Sequence, residues 1–203
     1  MLVTFSTHSV QPETTKEKLL VLGDSLSAAY GMQADQGWVS LLSKKWQTAS
    51  HAIEVVNASV SGETTTGALA RLPDILRQHQ PDWIIIELGG NDGLQGKSIK
   101  QLKQNLTQLV EVSQKMGASP ILFEIQIPPN YGKRYTQAFT ASFSQVANEK
   151  AIPLVPFFLS DIAIKPELMQ KDGIHPNEKA QPEIADKLSE VLLELLGIKK
   201  NAS

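Results

Sequence analysis

The chain of 203 residues has no cysteine. Disulfides, thiolate-held metals and cysteine nucleophiles are therefore excluded, while the redox compartment stays open, because a protein without thiols works in any of them. It also has no surplus of charge. Its 19 lysines and arginines against 21 acids leave a net charge of −2. The lysines are scattered rather than clustered, which is not the electrostatic footprint of a nucleic-acid binder. Long hydrophobic runs are missing too: a spanning helix needs about 20 apolar residues, and the densest stretches, "WIIIEL" and "PLVPFFL", have only strand length. Stable membrane insertion is not expected. Repeats, low-complexity tracts and linkers are likewise absent, so the length fits a single domain that buries most of its surface without a covalent staple.

What is present is alternation. Apolar strand-like runs are read at Lys18 to Gly23, Glu54 to Ala58, Trp83 to Leu88, Pro120 to Ile127 and Pro153 to Phe157. Their near-continuous apolar character suits strands covered on both faces, as in a parallel sheet flanked by helices. Helical periodicity falls between them, at Trp38 to Gln47, Thr66 to His79, Ser98 to Met116, Lys133 to Lys150 and around Lys179 to Leu196. Pro73 predicts a kink or a late start in the second of these. The last helix has Ile184, Leu188, Val191, Leu192 and Leu195 on one face. Its other face mixes acids with lysines, so docking onto the sheet is expected rather than binding to a membrane surface. Residues 1–17 lack a basic segment followed by a long apolar core and are expected to form a flexible polar tail, the remnant of a signal segment being the other option. Residues 18–203 form the domain.

In open α/β sheets, sites form beyond the carboxyl ends of the strands, where loops and helix N-termini converge. The loops after four of the predicted strands carry "GDSLS", "NASVSGETTTG", "LGGNDGLQG" and, past a connection, "KDGIHPN". In order they offer Ser25, Gly62, Asn91 and then Asp172 with His175. Acyl-bond hydrolysis needs a hydroxyl nucleophile, a base for its proton, an orienting carboxylate and donors for the developing oxyanion, and each role has a candidate. The base follows by elimination among four histidines. His8 lies in the tail, His51 in a polar connection and His79 at a helix end, whereas His175 stands three residues after Asp172 in a strand-end loop. Taken singly, each residue has a plainer explanation. Gly-Asp-Ser suits a turn and helix cap, Gly62 and Asn91 suit ordinary turns, and Asp172-Gly173 suits a turn with His175 as a solvated neighbour. Their joint occurrence at successive strand ends favours chemistry.

"GDSLS", the Gly62 block, "GGND" and "DGIHP" resemble the four blocks of the SGNH or GDSL hydrolases. "GDSLSAAYG", "NASVSGET", "ARLP", "QHQPDW", "PPNYGKRY" and "MQKDGIHPNEKAQPEIA" are similar in particular to that family's bacterial thioesterase, protease and lysophospholipase group and to its arylesterase relatives. The likeness covers roughly residues 18–196. It implies a serine hydrolase of carboxylic esters and thioesters, with Ser25, His175 and Asp172 as catalytic residues. The backbone N–H groups of Ser25 and Gly62 and the Asn91 amide would form the oxyanion hole. An acetyl esterase acting on carbohydrate or short-chain esters is the alternative within the family. The elbow G-x-S-x-G is absent, since Ser27 stands where its second glycine would be. This argues for a three-layer α/β/α, flavodoxin-like fold with a five-stranded parallel sheet in order 2-1-3-4-5.

The segment Gly93 to Ser98, "GLQGKS", is expected to bend over a bound acyl chain, with Gly93, Leu94, Gln95 and Gly96 contributing contacts. Ile127 and Tyr131 are candidates for the pocket wall, with core packing the equal alternative for Ile127. A phosphate loop is excluded at Asn91, where its spacing demands glycine. A metallophosphoesterase would have to use Asp24, Asn91, Asp92 and His175 as ligands, with a single well-placed histidine where two-metal sites want several. A lipid carrier without catalysis is the non-enzymatic rival. No metal or organic cofactor is called for, and the expected partners are small acyl esters and thioesters, with no nucleic acid, acting on a monomer. The likeness implies a periplasmic or secreted protein; the cytoplasm is the other option.

Overall fold

The computed structural model describes residues 16–198. Five strands, β1 (Glu17–Gly23), β2 (Ile53–Asn57), β3 (Trp83–Glu87), β4 (Ser119–Phe123) and β5 (Leu154–Val155), form one sheet in the order β2-β1-β3-β4-β5. Every pairing is parallel. Among the described residues six α-helices accompany them: α1 (Trp38–Thr48), α2 (Thr65–His79), α3 (Gly90–Leu94), α4 (Ile99–Lys115), α5 (Lys133–Lys150) and, after the last strand, α6 (Gln181–Leu195).

The strands read as unbroken apolar runs because both sheet faces are covered, and the period of two sorts their residues between the faces. Leu19 and Val21 join Ile85, Phe123 and the buried stripes of α1 and α6, including Trp38, Trp46, Ile184 and Leu188. Leu20 and Leu22 join Ile84, Ile86 and the stripes of α2, α4 and α5, including Leu72, Leu106, Phe139 and Phe143. Each fully buried leucine or phenylalanine contributes on the order of 2 kcal/mol. The two layers hold the sheet rigid beneath the loops at its carboxyl edge. Val191 and Leu195 of α6 pack against the first core, so this helix docks on the sheet as its periodicity predicts.

Several boundaries differ from those predicted. Glu17, assigned to the tail, begins β1, and its N–H donates to the Ala52 carbonyl at 2.9 Å; residues 1–15 of that tail lie outside the described residues. Pro73 lies inside α2 and does not start it. The helix begins at Thr65, where the Thr64 hydroxyl caps it by accepting from the Gly67 N–H at 3.2 Å. β5 is confined to two residues between Pro153 and Pro156, neither of which has an N–H to donate. β4 stops at Phe123 rather than Ile127, because its partner ends at Val155. Ile125 and Ile127 keep the apolar alternation of a strand and are buried, but they turn out to wall a cavity.

Candidate active site

The nucleophile candidate stands on a turn held by its own flanking residues. β1 ends at Gly23, where a Cβ would come within 2.7 Å of Glu87 Oε2 and 2.8 Å of Ser59 Oγ; glycine is what lets β1 pass so close to β3. The Asp24 carbonyl accepts from the N–H groups of Ser27 and Ala28, at 3.2 and 3.0 Å, and its Oδ1 accepts from the Leu26 N–H at 3.1 Å. Ser25 is thereby carried beyond the sheet edge with its hydroxyl free of the local turn.

Across the sheet, the loop before α6 brings His175 to the same place. His175 Nε2 lies 2.9 Å from Ser25 Oγ, although 150 positions separate the two, and its Nδ1 lies 2.7 Å from Asp172 Oδ2. The other carboxylate oxygen, Asp172 Oδ1, accepts from the Ile174 and His175 N–H groups at 2.9 and 3.0 Å. Burial acts to raise the Asp172 pKa. The two backbone N–H groups and the imidazole outweigh it and hold the carboxyl below its ordinary range. Asp172 is therefore ionised at neutral pH, and it fixes the imidazole with Nδ1 as donor and Nε2 free to accept.

Two further loops close the ring. Gly62, with φ of +80°, follows Ser61 in a turn closed by the Glu63 N–H on the Val60 carbonyl at 3.1 Å, an arrangement that favours glycine at this position. Asn91, in the first turn of α3, donates from Nδ2 to the Glu63 carbonyl at 2.9 Å and, at 3.3 Å, to Asp24 Oδ2. Both bonds leave from this one nitrogen, and the side chain lines the cavity beside Ser25. Ser25, Gly62, Asn91 and His175 line one cavity of about 270 Å³. Leu94, Ile125, Ile127, Phe157, Leu159 and Ile174 supply its apolar wall. The arrangement sets a hydroxyl beside a base, next to neutral hydrogen-bond donors and an apolar chamber, which is what acyl transfer requires.

Not every residue singled out from the sequence reaches this cavity. Leu94 and Ile127 line it; Gly93, Gln95, Gly96 and Tyr131 do not. Gly93 belongs to α3 and is packed so tightly that a Cβ would stand 2.7 Å from Phe139 Cε2 and 2.8 Å from Ile127 Cγ2, so it is a packing glycine and not a hinge. Gln95 caps the end of α3, and Gly96 follows it with φ of +64° in open space. Tyr131 sends its hydroxyl to the Leu94 carbonyl at 2.9 Å, bracing the wall from outside. Asp92, considered as a metal ligand, turns away from the cavity. It takes the Thr65 N–H and hydroxyl, both at 2.8 Å, at the start of α2. Among the described residues no three His, Cys, Asp or Glu side chains are placed to hold a metal ion.

The structure also brings in groups that the sequence did not single out. Tyr30 lines the cavity and packs on the His175 ring, with centroids 4.4 Å apart. Beneath the Ser25 turn lies buried Glu87, next to Asp24, which the sequence offered only as a metal ligand. Glu87 accepts from the Ser27 hydroxyl at 2.6 Å and, at 3.4 Å, from the Asp24 N–H. Burial, with the neighbouring Asp24 charge, pushes the Glu87 carboxyl well up, and burial pushes Asp24 up to about 6. A lone acid ending the apolar run "WIII" was the available signal for Glu87.

The sequence pattern of the GDSL-like Lipase/Acylhydrolase family matches residues 21–181, which include every residue of the cavity. The chain is 49% identical over 180 residues to the Thioesterase 1/protease 1/lysophospholipase L1 of Escherichia coli (strain K12), covering 89% of this chain and 85% of that protein. It is 44% identical over 180 residues to an Arylesterase of Vibrio mimicus, covering 89% and 90%. Its fold is similar to that of the psychrotrophic esterase EstA from Pseudoalteromonas sp., solved inhibited by monoethylphosphonate, with a TM-score of 0.88 and 48% identity over 90% of this chain and 100% of that one. With a parallel sheet in the order 2-1-3-4-5, its four loops converging on one cavity and these likenesses along most of its length, the chain belongs to the GDSL-like lipase/acylhydrolase family.

Proposed function

We propose that this protein hydrolyses carboxylic ester and thioester bonds through an acyl-serine formed on Ser25. Ser25 Oγ attacks the carbonyl carbon while His175 Nε2 takes its proton, and Asp172 stabilises the imidazolium that results. The tetrahedral oxygen is met by the backbone N–H groups of Ser25 and Gly62 and by the Asn91 amide, a neutral donor that turns one N–H from its longer, 3.3 Å bond to Asp24 onto the developing charge. His175 then returns the proton to the departing alcohol or thiol, and a water activated by the same imidazole releases the acid. The acyl chain lies along the wall of Leu94, Ile125 and Ile127. A volume of about 270 Å³ is close to the lower end, about 300 Å³, of pockets for small organic ligands, and suits a single chain. The observation that carries this proposal is the 2.9 Å approach of His175 Nε2 to Ser25 Oγ, with Asp172 at 2.7 Å on the other side of the ring.

The names of the E. coli and Vibrio relatives point to thioesters, lysophospholipids and aryl esters as substrates. By the same likeness the protein acts in the periplasm or outside the cell, which fractionation checks. No helix among the described residues is long and apolar enough to cross a membrane. The chemistry is tested with a panel of acyl esters and thioesters of increasing chain length, together with a fluorophosphonate and intact-mass measurement. The expected result is turnover by the wild type, almost none by Ser25→Ala, and a single adduct on Ser25. Turnover by Ser25→Ala near the wild-type rate would overturn the assignment.

A further inference from the structure

Ser25 and His175 lie 150 positions apart, so their separation depends on how their two loops dock on each other above the sheet. The loop carrying Asp172 and His175 is internally stiff. Met169 and Pro176 form an antiparallel bridge at its base. The Gln170 N–H donates to the His175 carbonyl at 2.8 Å, the Gly173 N–H to the Gln170 carbonyl at 3.0 Å, and the Asn177 N–H to the Leu168 carbonyl at 2.8 Å. A stiff loop still has to be docked, and the residue that docks it near its tip is Gln170. Its Nε2 donates to the carbonyl of Tyr30, in the Ser25 turn, at 2.8 Å, and to the carbonyl of Pro176, in its own loop, at 3.2 Å. The amide lies against Gly31, whose φ is +75° and where a Cβ would stand 2.5 Å from Gln170 Oε1. The Ser25 turn has thus left room for this side chain. The bonds between Gln181 and Trp38 and between Gln36 and Glu178 join the same two regions farther along the chain.

We propose that Gln170 is a positioning residue for the hydrolysis, holding the imidazole of His175 at bonding distance from Ser25 by tying the backbones of their two loops together. This rests on the roles given above to Ser25 and His175. A neutral primary amide is the chemistry required: both partners are carbonyl oxygens, so two N–H donors on one nitrogen satisfy them, whereas a carboxylate would face them with like charge. The Tyr30 ring rides on the same tie, since its own carbonyl is the one that Gln170 holds while its ring packs on His175. Loosening the tie lets the His175 loop drift, and a displacement of about 1 Å between reacting groups costs up to about 10²-fold in rate.

The test compares Gln170→Ala and the isosteric Gln170→Glu with the wild type, using an aryl ester and a fluorophosphonate, and repeats Gln170→Ala in a His175→Ala background. The expected kcat falls roughly 10- to 100-fold with little change in KM, Gln170→Glu losing at least as much as Gln170→Ala, and labelling of Ser25 slows by the same factor. In the His175→Ala background the residual rate stays where it was, because there is no imidazole left to position. Should Gln170→Glu not fold, Gln170→Asn, which keeps the amide but draws it back by one methylene, reads the same quantity. Wild-type kcat in the folded variants overturns the proposal. So does a further loss of the same size in the His175→Ala background, which would make Gln170 a general structural residue. If instead Ser25→Ala remains active, it is the nucleophile assignment that fails, and the two failures are told apart by that control.

Discussion

Asp172→Asn separates the two tasks of one carboxylate, because each oxygen has its own partners. Oδ1 holds the loop through the Ile174 and His175 N–H groups, and Oδ2 holds the imidazole. An asparagine has one oxygen to share between these tasks. With the oxygen on the backbone, its amide nitrogen faces Nδ1 and forces the tautomer in which Nε2 carries the hydrogen and cannot accept from Ser25. With the oxygen on Nδ1, the useful tautomer returns but two backbone bonds are lost, at about 1 kcal/mol each. The neutral amide also stabilises the imidazolium less than the carboxylate did, by about 1.5 kcal/mol, the difference between a charged and a neutral hydrogen bond. The sum is about 3.5 kcal/mol, a several-hundredfold loss of kcat at about 1.4 kcal/mol per tenfold. This is less than the roughly 10⁴-fold cost of the same change in a fully buried triad. The Asp172 side chain is 37% exposed, so water can reach both its oxygens and the loop. Steady-state hydrolysis of an aryl ester, with a thermal melt on the same sample, reads the outcome. KM and melting temperature should change little. A kcat within about threefold of wild type, or a loss appearing only in KM, would mean that Asp172 does not carry these two tasks.

Asn91→Ala is expected to lower kcat by about 10²- to 10³-fold with little change in KM, the cost of one oxyanion donor, as measured by steady-state kinetics. Gly93→Ala tests the packing role given to that glycine. A Cβ 2.7 Å from Phe139 and 2.8 Å from Ile127 should destabilise the fold by about 1–3 kcal/mol in chemical denaturation, and an unchanged midpoint would contradict it. The buried Asp24 sets the direction of a pH effect on stability. Its pKa is raised in the folded protein from 3.8 to about 6, so the native state holds this proton where the unfolded chain has lost it. The favourable contribution is present below about pH 4 and disappears as pH rises to about 6, on the order of 3 kcal/mol in all. Glu87 adds to it with the same sign. Urea midpoints between pH 4 and 7 should therefore fall more steeply for wild type than for Asp24→Asn, and equal slopes would sink this account.

The sheet order and the loops that meet above it were readable because both follow from strong constraints. A run such as "LLVLG" between helical segments must be covered on both faces, and parallel strands so covered send their following loops to one edge. Ser25, Gly62, Asn91 and His175 stood out there as reactive or permissive residue types at strand ends. The errors arose where one pattern serves two environments. The alternation from Phe123 through Ile125 to Ile127 has the period of a strand, yet the last bond to β5 is that of the Glu124 N–H to the Val155 carbonyl at 2.9 Å, and beyond it the buried isoleucines turn to the cavity instead. Gly93 carries the composition of a hinge, but α3 places it against Phe139, and only the packing of α5 reveals that.

The residues that hold the site together left a fainter trace, for a physical reason. A nucleophile, a base or a carboxylate is restricted in type by the reaction, so its identity shows in the sequence. A residue that positions them mostly answers backbone groups, and every position of the chain except proline offers the same N–H and C=O. Gln170 meets the carbonyls of Tyr30 and Pro176, and Asn91 is oriented by the carbonyl of Glu63; none of these three partners leaves a mark at its own position. Glu87 is the exception, since an acid inside a fully buried strand must be satisfied or neutral and is conspicuous for that cost. The chemistry of this fold is therefore written in side chains, while the distances that make it work are written largely in the main chain, in contacts that only the folded arrangement discloses.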